Sequence, residues 1–326
     1  MLRWRLLLGT GFTIVLVALG WVDYVTAAAL PGVWLVPILV FFGGVATREV
    51  LGLLAAAGIR PLAWAVYAGN LLVLASPWGP WAQRWLSGQR PGPYLQQLYH
   101  PLAGQPGSSG EGATVAGGAS GDWVLLALAA AVILVFVGEM CRFRRPGGVT
   151  VNLAGALLAI VYVGLLLSFA VRLRLAWGVG ALASLLVVAK FGDTGAYFVG
   201  RLLGRHKMSP ILSPKKTMEG AAGGLAFSLV ASWATFTWLV PAMAMASQEG
   251  TAGGASPWWG WIVFGLAVGA AGIAGDLAES LLKRDSGAKD SGRWLPGLGG
   301  ILDLLDSVLM ASPVVCACWA LGIVGT

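Results

Sequence analysis

Apolar runs of about 17–25 residues recur along this chain, and each is long enough to span the hydrocarbon core of a bilayer as a helix. That feature leaves little room for a soluble fold. Composition agrees. Of 326 residues, 57% are hydrophobic and only 11% charged, with a mean hydropathy of +0.79; ordinary soluble domains carry about 25% charged residues. We read an all-α polytopic membrane protein. The expected spans are 6–21, 25–45, 61–78, 122–139, 149–171, 175–200, 218–246, 257–282 and 303–325, about nine transmembrane helices. Met1-Leu2-Arg3-Trp4-Arg5 and the apolar run after it look like a signal peptide. No small-residue cleavage site follows and further spans do, so this run is expected to stay as the first helix.

Basic residues sort the loops. Sixteen Arg and Lys residues fall in one set of loops, and only Arg84, Arg90, Arg172 and Arg174 in the other. By the positive-inside rule the N-terminus is expected in the cytoplasm and the C-terminus outside the cell membrane. The net charge of +7 is then a matter of topology, and no nucleic-acid partner is expected. The chain divides into an N-terminal part (1–121), ending in a long outer loop with the Gly/Ser/Ala-rich tract Gly104–Gly121, and a C-terminal part (122–326) that carries the chemistry. His100 in the outer loop reads as a solvated residue. Cys141, Cys316 and Cys318 lack a companion His cluster and read as small apolar residues rather than a disulfide or zinc site. Gly178, Gly180, Gly265, Gly269 and Gly272 are expected to let helices pack closely.

The C-terminal part puts ionisable groups where they are expensive, roughly 2.5–3.5 kcal/mol each at the bilayer centre on insertion scales. Asp276, Glu279, Ser280 and Lys283 fall at offsets 0, 3, 4 and 7, on one helical face. Asp303 and Asp306 share a face at the start of the next helix. The loop between holds Asp285, Lys289-Asp290 and Pro296-Gly297-Leu298-Gly299-Gly300. The active site is therefore expected at the cytoplasmic ends of the C-terminal helices. Carboxylates from two helices suit Mg²⁺, with water and phosphate oxygens completing its shell. The Gly-rich turn is expected to offer backbone N–H groups to an anion at a helix N-terminus. The alternative is a set of Lys–Asp pairs that only hold helices together.

A second cluster complements the first. Lys190, Asp193 and Tyr197 lie at i, i+3 and i+7, and Ser213-Pro214-Lys215-Lys216-Thr217 leads into a helix. Two lysines at a helix start suit a polyphosphate, although no G-x-x-x-x-G-K-[ST] loop is present. Glu219 in the first turn also complements the helix dipole.

Asp193-Thr194-Gly195-Ala196-Tyr197-Phe198-x-Gly200-Arg201, Ser213-Pro214-Lys215-Lys216-Thr217-x-Glu219-Gly220, Ser280-x-x-Lys283-Arg284-x4-Lys289-Asp290 and Leu295-Pro296-Gly297-x-Gly299-Gly300-Ile301-Leu302-Asp303-x-x-Asp306-Ser307 together resemble the phosphatidate cytidylyltransferase family, over roughly residues 120–326. The resemblance implies transfer of a cytidylyl group from CTP to phosphatidate, giving CDP-diacylglycerol and pyrophosphate, with Mg²⁺ and a monovalent cation such as K⁺. It implies metal ligation by Asp276, Asp303 and Asp306, and catalytic roles for Asp276, Lys283, Lys289, Asp290 and Asp303. Substrate contacts would come from Asp193, Tyr197, Ser213, Lys215, Lys216, Thr217, Glu219, Ser280, Arg284, Gly299 and Gly300. A homodimer is left open. Two positions depart from the family pattern: Leu298 stands at the usual His of the Gly-rich turn, and Leu304 at the Arg after Asp303. Restoring both, Leu298→His with Leu304→Arg, is expected to raise turnover about tenfold if the turn keeps its shape, one charge-assisted hydrogen bond being worth about 1.5–3 kcal/mol. Three other readings compete: an enzyme using CTP on an isoprenoid or ether lipid, a catalytically impaired homologue, and a cation transporter.

Overall fold

The computed structural model describes residues 32–87, 119–144, 146–247, 257–288, 291–292 and 300–325. The expected span 6–21, most of the outer loop, His100, Lys289, Asp290, Leu298 and Gly299 lie outside these residues. The described chain is helical apart from one short hairpin. The helices are α1 (Val36–Ala56), α2 (Ala63–Ala75), the short α3 (Gly79–Leu86) and α4 (Ala119–Arg142). Next comes an apolar run, Val149–Leu203, of 55 residues, then the hairpin β1 (Lys207–Ser209) and β2 (Ser213–Thr217). Three further helical runs follow: α7 (Met218–Ala234), which continues through a π turn (Thr235–Leu239) into Val240–Ser247, α8 (Gly260–Asp285) and α9 (Leu302–Ala320). Six runs among the described residues are long and apolar enough to cross a membrane. Large apolar side chains such as Phe41, Leu125, Ile133 and Val230 are exposed on their outer faces, as a lipid-facing surface requires.

The 55-residue run cannot be one straight span, since at 1.5 Å per residue it would reach about 82 Å. It breaks at Gly178, where φ is 83° and ψ −171°. The left-handed φ needs a residue without Cβ. We label the parts α5 (149–177) and α6 (179–203). Trp177 lies 6.4 Å, ring to ring, from Trp319 on α9, and Trp319 Nε1 donates to Ser184 on α6. At the other level of α9, Tyr162 on α5 feels the charge of Asp306, and Lys190 on α6 donates to Ser307. A straight helix would hold Tyr162 and Lys190 about 42 Å apart. The chain therefore reverses at Gly178. Gly178, expected to serve close packing, instead makes the turn. Arg174, expected in a loop, is buried at the end of α5.

Of the expected span 25–45, residues 25–31 lie outside the described residues, and α1 runs eleven residues past its expected end, to Ala56. Gly32 takes a φ of 79°, a 3-10 turn follows over Val33–Leu35, and proline stands in the first turn of α1. Span 61–78 corresponds to α2 and the 3-10 turn Ser76–Trp78, shorter than the membrane-length runs. Of the other glycines named for close packing, Gly265 and Gly269 act as expected, while Gly180 and Gly272 have their neighbours at ordinary contact distance. Gly265 and Gly269 bring α8 against Ser228 of α7, and Gly224 meets Ala196 where α7 packs on α6. All three cysteines are free, Cys316 and Cys318 buried in the core.

Candidate active site

The acidic end of the bundle is built by a close helix approach. Gly275 on α8 has no room for a Cβ because the Asp306 carbonyl of α9 lies against it. That contact brings neighbouring side chains face to face. The carboxyl groups of Asp276 and Asp306 come within hydrogen-bonding reach of each other. One turn along, Glu279 and Asp303 do the same. Each pair of acids has a lysine. Lys216 contacts Asp276 at 2.8 Å, and Lys283 contacts Glu279 at 3.1 Å and Asp303 at 2.6 Å. A third lysine, Lys190, donates to Asp193 at 2.9 Å and to the Leu304 carbonyl and Ser307 hydroxyl, each at 2.8 Å. Ser307 Oγ in turn donates to Asp193 Oδ2 at 2.8 Å. The α8 face and the α9 face thus meet.

The expected metal ligands divide between the two pairs, with Asp276 and Asp306 in one and Asp303 in the other. Among the described residues no three Asp, Glu, His or Cys side chains converge on one point. Carboxylates that adjoin need a proton or a cation between them. Five carboxylates (Asp193, Asp276, Glu279, Asp303, Asp306) face three lysines, an excess of two negative charges when all are ionised. Glu279 Oε1 and the Tyr162 hydroxyl are buried with no hydrogen-bond partner among the described residues. Hard oxygens in excess, with unpartnered polar atoms, suit a divalent cation.

The hairpin explains the second motif. Strands β1 and β2 pair antiparallel, Lys207 opposite Thr217 and Ser209 opposite Ser213. Alternation along β2 turns Lys216 inward to Asp276 and leaves Lys215 exposed. Sequence reading took this stretch as a plain lead into the helix. Thr217 and Glu219, both expected to touch substrate, also hold the backbone. Thr217 caps α7, its hydroxyl oxygen accepting from the Gly220 N–H at 3.1 Å. Glu219 accepts from the Arg205 and His206 amides and bonds the His206 ring at 2.5 Å. Arg284 Nε donates to the Leu212 carbonyl at 3.2 Å, tying α8 to the hairpin turn. Ser213 sits in the ladder, and Ser280 is half-buried on α8. Tyr197 follows one turn beyond Asp193, outside the Lys190–Asp193–Ser307 contacts. It is 59% exposed, and its hydroxyl accepts from Arg201 at 2.8 Å.

The N-terminus of α9 differs most from expectation. Its amides are already used within the protein. Gly300 N–H donates to Asp303 Oδ2 at 2.7 Å, while Ile301 and Leu302 donate to Glu49 on α1. The anion held there is the protein's own. Sequence reading missed Glu49 because it placed residues 46–60 in a loop. An acid inside a 21-residue apolar helix was the available signal, by the same cost argument that applies to the ionisable groups of the C-terminal part. Leu304 packs with Leu305 and Ile38 against Phe42, Val45 and Ile301, an apolar contact between α9 and α1.

A profile of the cytidylyltransferase family matches residues 113–321. The relatives are bacterial. A phosphatidate cytidylyltransferase of Staphylococcus saprophyticus is 37% identical over 161 residues, 49% of this chain and 56% of the relative. One from Mycobacterium bovis is 37% identical over 175 residues, 53% of this chain and 52% of the relative. One from Staphylococcus aureus is 34% identical over 204 residues, 60% of this chain and 70% of the relative. The chain thus spans about half the length of the first two. The match covers α4 to α9 and the hairpin, and so contains all five clustered carboxylates and their three lysines. The chain is a membrane-spanning member of the cytidylyltransferase family.

Proposed function

We propose that the protein transfers a cytidylyl group from CTP to phosphatidate, releasing pyrophosphate. The observation that carries this reading is the two pairs of facing carboxylates on α8 and α9, each held by a lysine and overlooked by the basic hairpin. The relatives' names supply the substrates. Asp276 and Asp306 would hold Mg²⁺, with Asp303 beside them; the bound ion would shield the triphosphate and the charge growing on the leaving group. A monovalent cation such as K⁺ belongs to the same proposal.

The chain's own residues do the rest by placement and charge. Lys215, Lys207 and Arg205 are exposed around the hairpin and would meet the triphosphate as it arrives. Lys216 and Lys283 lie deeper, at the carboxylates, where the reacting phosphates converge. A phosphate oxygen of phosphatidate forms the new bond to the α-phosphorus of CTP. The bond from that phosphorus to the bridging oxygen breaks, and its electron pair leaves with pyrophosphate. No strong base is required, because a phosphomonoester with a second pKa near 6 is already largely dianionic near pH 7. The lipid tails would stay between helices while the nucleotide enters from water.

The test is purified protein with labelled CTP, phosphatidate and Mg²⁺, scored for CDP-diacylglycerol. Product that depends on both the lipid and the metal supports the reading. Binding of CTP and Mg²⁺ with no product overturns it in favour of an impaired homologue. We also propose that the hairpin faces the cytoplasm and the Gly104–Gly121 tract the outside. A single cysteine at 207, in a chain lacking the three native ones, should label only after permeabilisation; labelling in intact cells reverses the orientation.

A further inference from the structure

One charged side chain reaches the site from outside the family-matched segment. Glu49 on α1 is 4% exposed. One of its oxygens accepts the Ile301 N–H at 3.0 Å and the other the Leu302 N–H at 2.7 Å. The Ser291 hydroxyl lies 3.2 Å from Glu49 Oε2 and 3.0 Å from Asp303 Oδ2. It has a single proton and can donate to only one of them at a time, so it links the two carboxylates. Gly292 and Gly300 lie so close that a Cβ on either would collide with the Glu49 carboxylate. Asp303 is also held by the Gly300 N–H, on the turn that Glu49 grips. An ionised carboxylate at this place is favoured by the positive end of the helix dipole.

We propose that Glu49 is a positioning residue for the transfer reaction: it fixes the first turn of α9 from α1 and thereby sets where the Asp303 carboxylate sits. The inference rests on the reaction proposed above. Every bond Glu49 makes to α9 or Ser291 ends on a group that touches Asp303 or neighbours it in the same turn. A displacement of about 1 Å at such a carboxylate costs on the order of 10²-fold in rate, whereas a mere packing anchor would change only the amount of folded protein.

The experiment compares the full chain with Glu49→Gln and Glu49→Ala. Glutamine keeps the size but offers one acceptor oxygen to two amides. Expected is a fall in kcat per folded enzyme of about 10–100-fold, the usual effect of removing a group that orients a ligand, with a much smaller change in the KM for CTP. Hydrogen exchange read by mass spectrometry should show lost protection of the amides at 301 and 302. Should Glu49→Ala fail to fold, Glu49→Gln decides alone. Parent-like kcat in Glu49→Gln, or unchanged exchange at 301 and 302, overturns the proposal. If the parent makes no CDP-diacylglycerol, the reaction assigned above fails separately. The exchange data then still decide the anchor, since they need no turnover: lost protection upholds it and unchanged protection removes it.

Discussion

Helices α7 and α9 both begin at the site, and their first turns are satisfied in opposite ways. The cap of α7 is local. Thr217 stands next to the helix it caps, and its hydroxyl oxygen takes an amide three residues on. The cap of α9 comes from more than 250 residues away, where Glu49 takes two amides with one carboxylate. A local cap stabilises one helix and communicates with nothing else. A remote charged cap ties two parts of the chain together, so that the position of α1 is felt at the α9 carboxylates. The difference lies in what each cap can move.

Three substitutions test this contrast. Asp303→Asn should have the largest effect, lowering kcat by about 10²–10³-fold, as loss of one preorganised charge does elsewhere. The asparagine can still accept from Gly300 and Ser291, so folding should persist. Near-parent turnover, measured with CTP and phosphatidate saturating, would place the chemistry away from the first turn of α9. Leu304→Arg should come next. The family carries arginine there, and sequence alone suggests a gain, but Leu304 packs in the apolar contact with Phe42 and Val45. The expected result is a loss of about 1–3 kcal/mol in stability, seen as a lower unfolding midpoint in detergent, with no rise in kcat. A tenfold rise would mean that the arginine escapes the α1 contact and reaches substrate. Thr217→Ala should matter least. It removes one capping bond and should cost about 1 kcal/mol, with kcat per folded enzyme near the parent value. A large fall in kcat would make the α7 cap part of the machinery and erase the distinction.

These cases also show what was legible in the sequence. Offsets within one helix fixed the face shared by Asp276, Glu279 and Lys283, and those acids do meet Asp303 and Asp306. Apolar run length fixed the membrane class. What escaped depends on partners distant in sequence or on single dihedral angles. Glu49 acquires a purpose only when α9 is brought beside α1. The Ser213–Thr217 strand has no alternating apolar pattern, and its inward lysine is explained by Asp276 across the fold. The turn in the long apolar run is one glycine with a positive φ among many glycines that pack ordinarily. The start of α9 looked free to receive an anion because the carboxylate that takes the Ile301 and Leu302 amides is far away in the chain.

The reversal at Gly178 has a consequence for how the molecule is assembled. Residues 173–178 are all buried, so the tip of the α5–α6 hairpin is sealed inside protein rather than extended into water. Part of the seal is Trp319, which reaches Trp177 on one arm and Ser184 on the other. The ribosome makes Trp319 about 140 residues after the tip, at some 5–20 residues per second. For roughly 7–28 seconds the newborn hairpin holds its polar ends, Arg172 and Arg174 among them, without this lid. A chaperone or insertase that shelters such a tip would have its natural window there, and the arrival of α9 would close it.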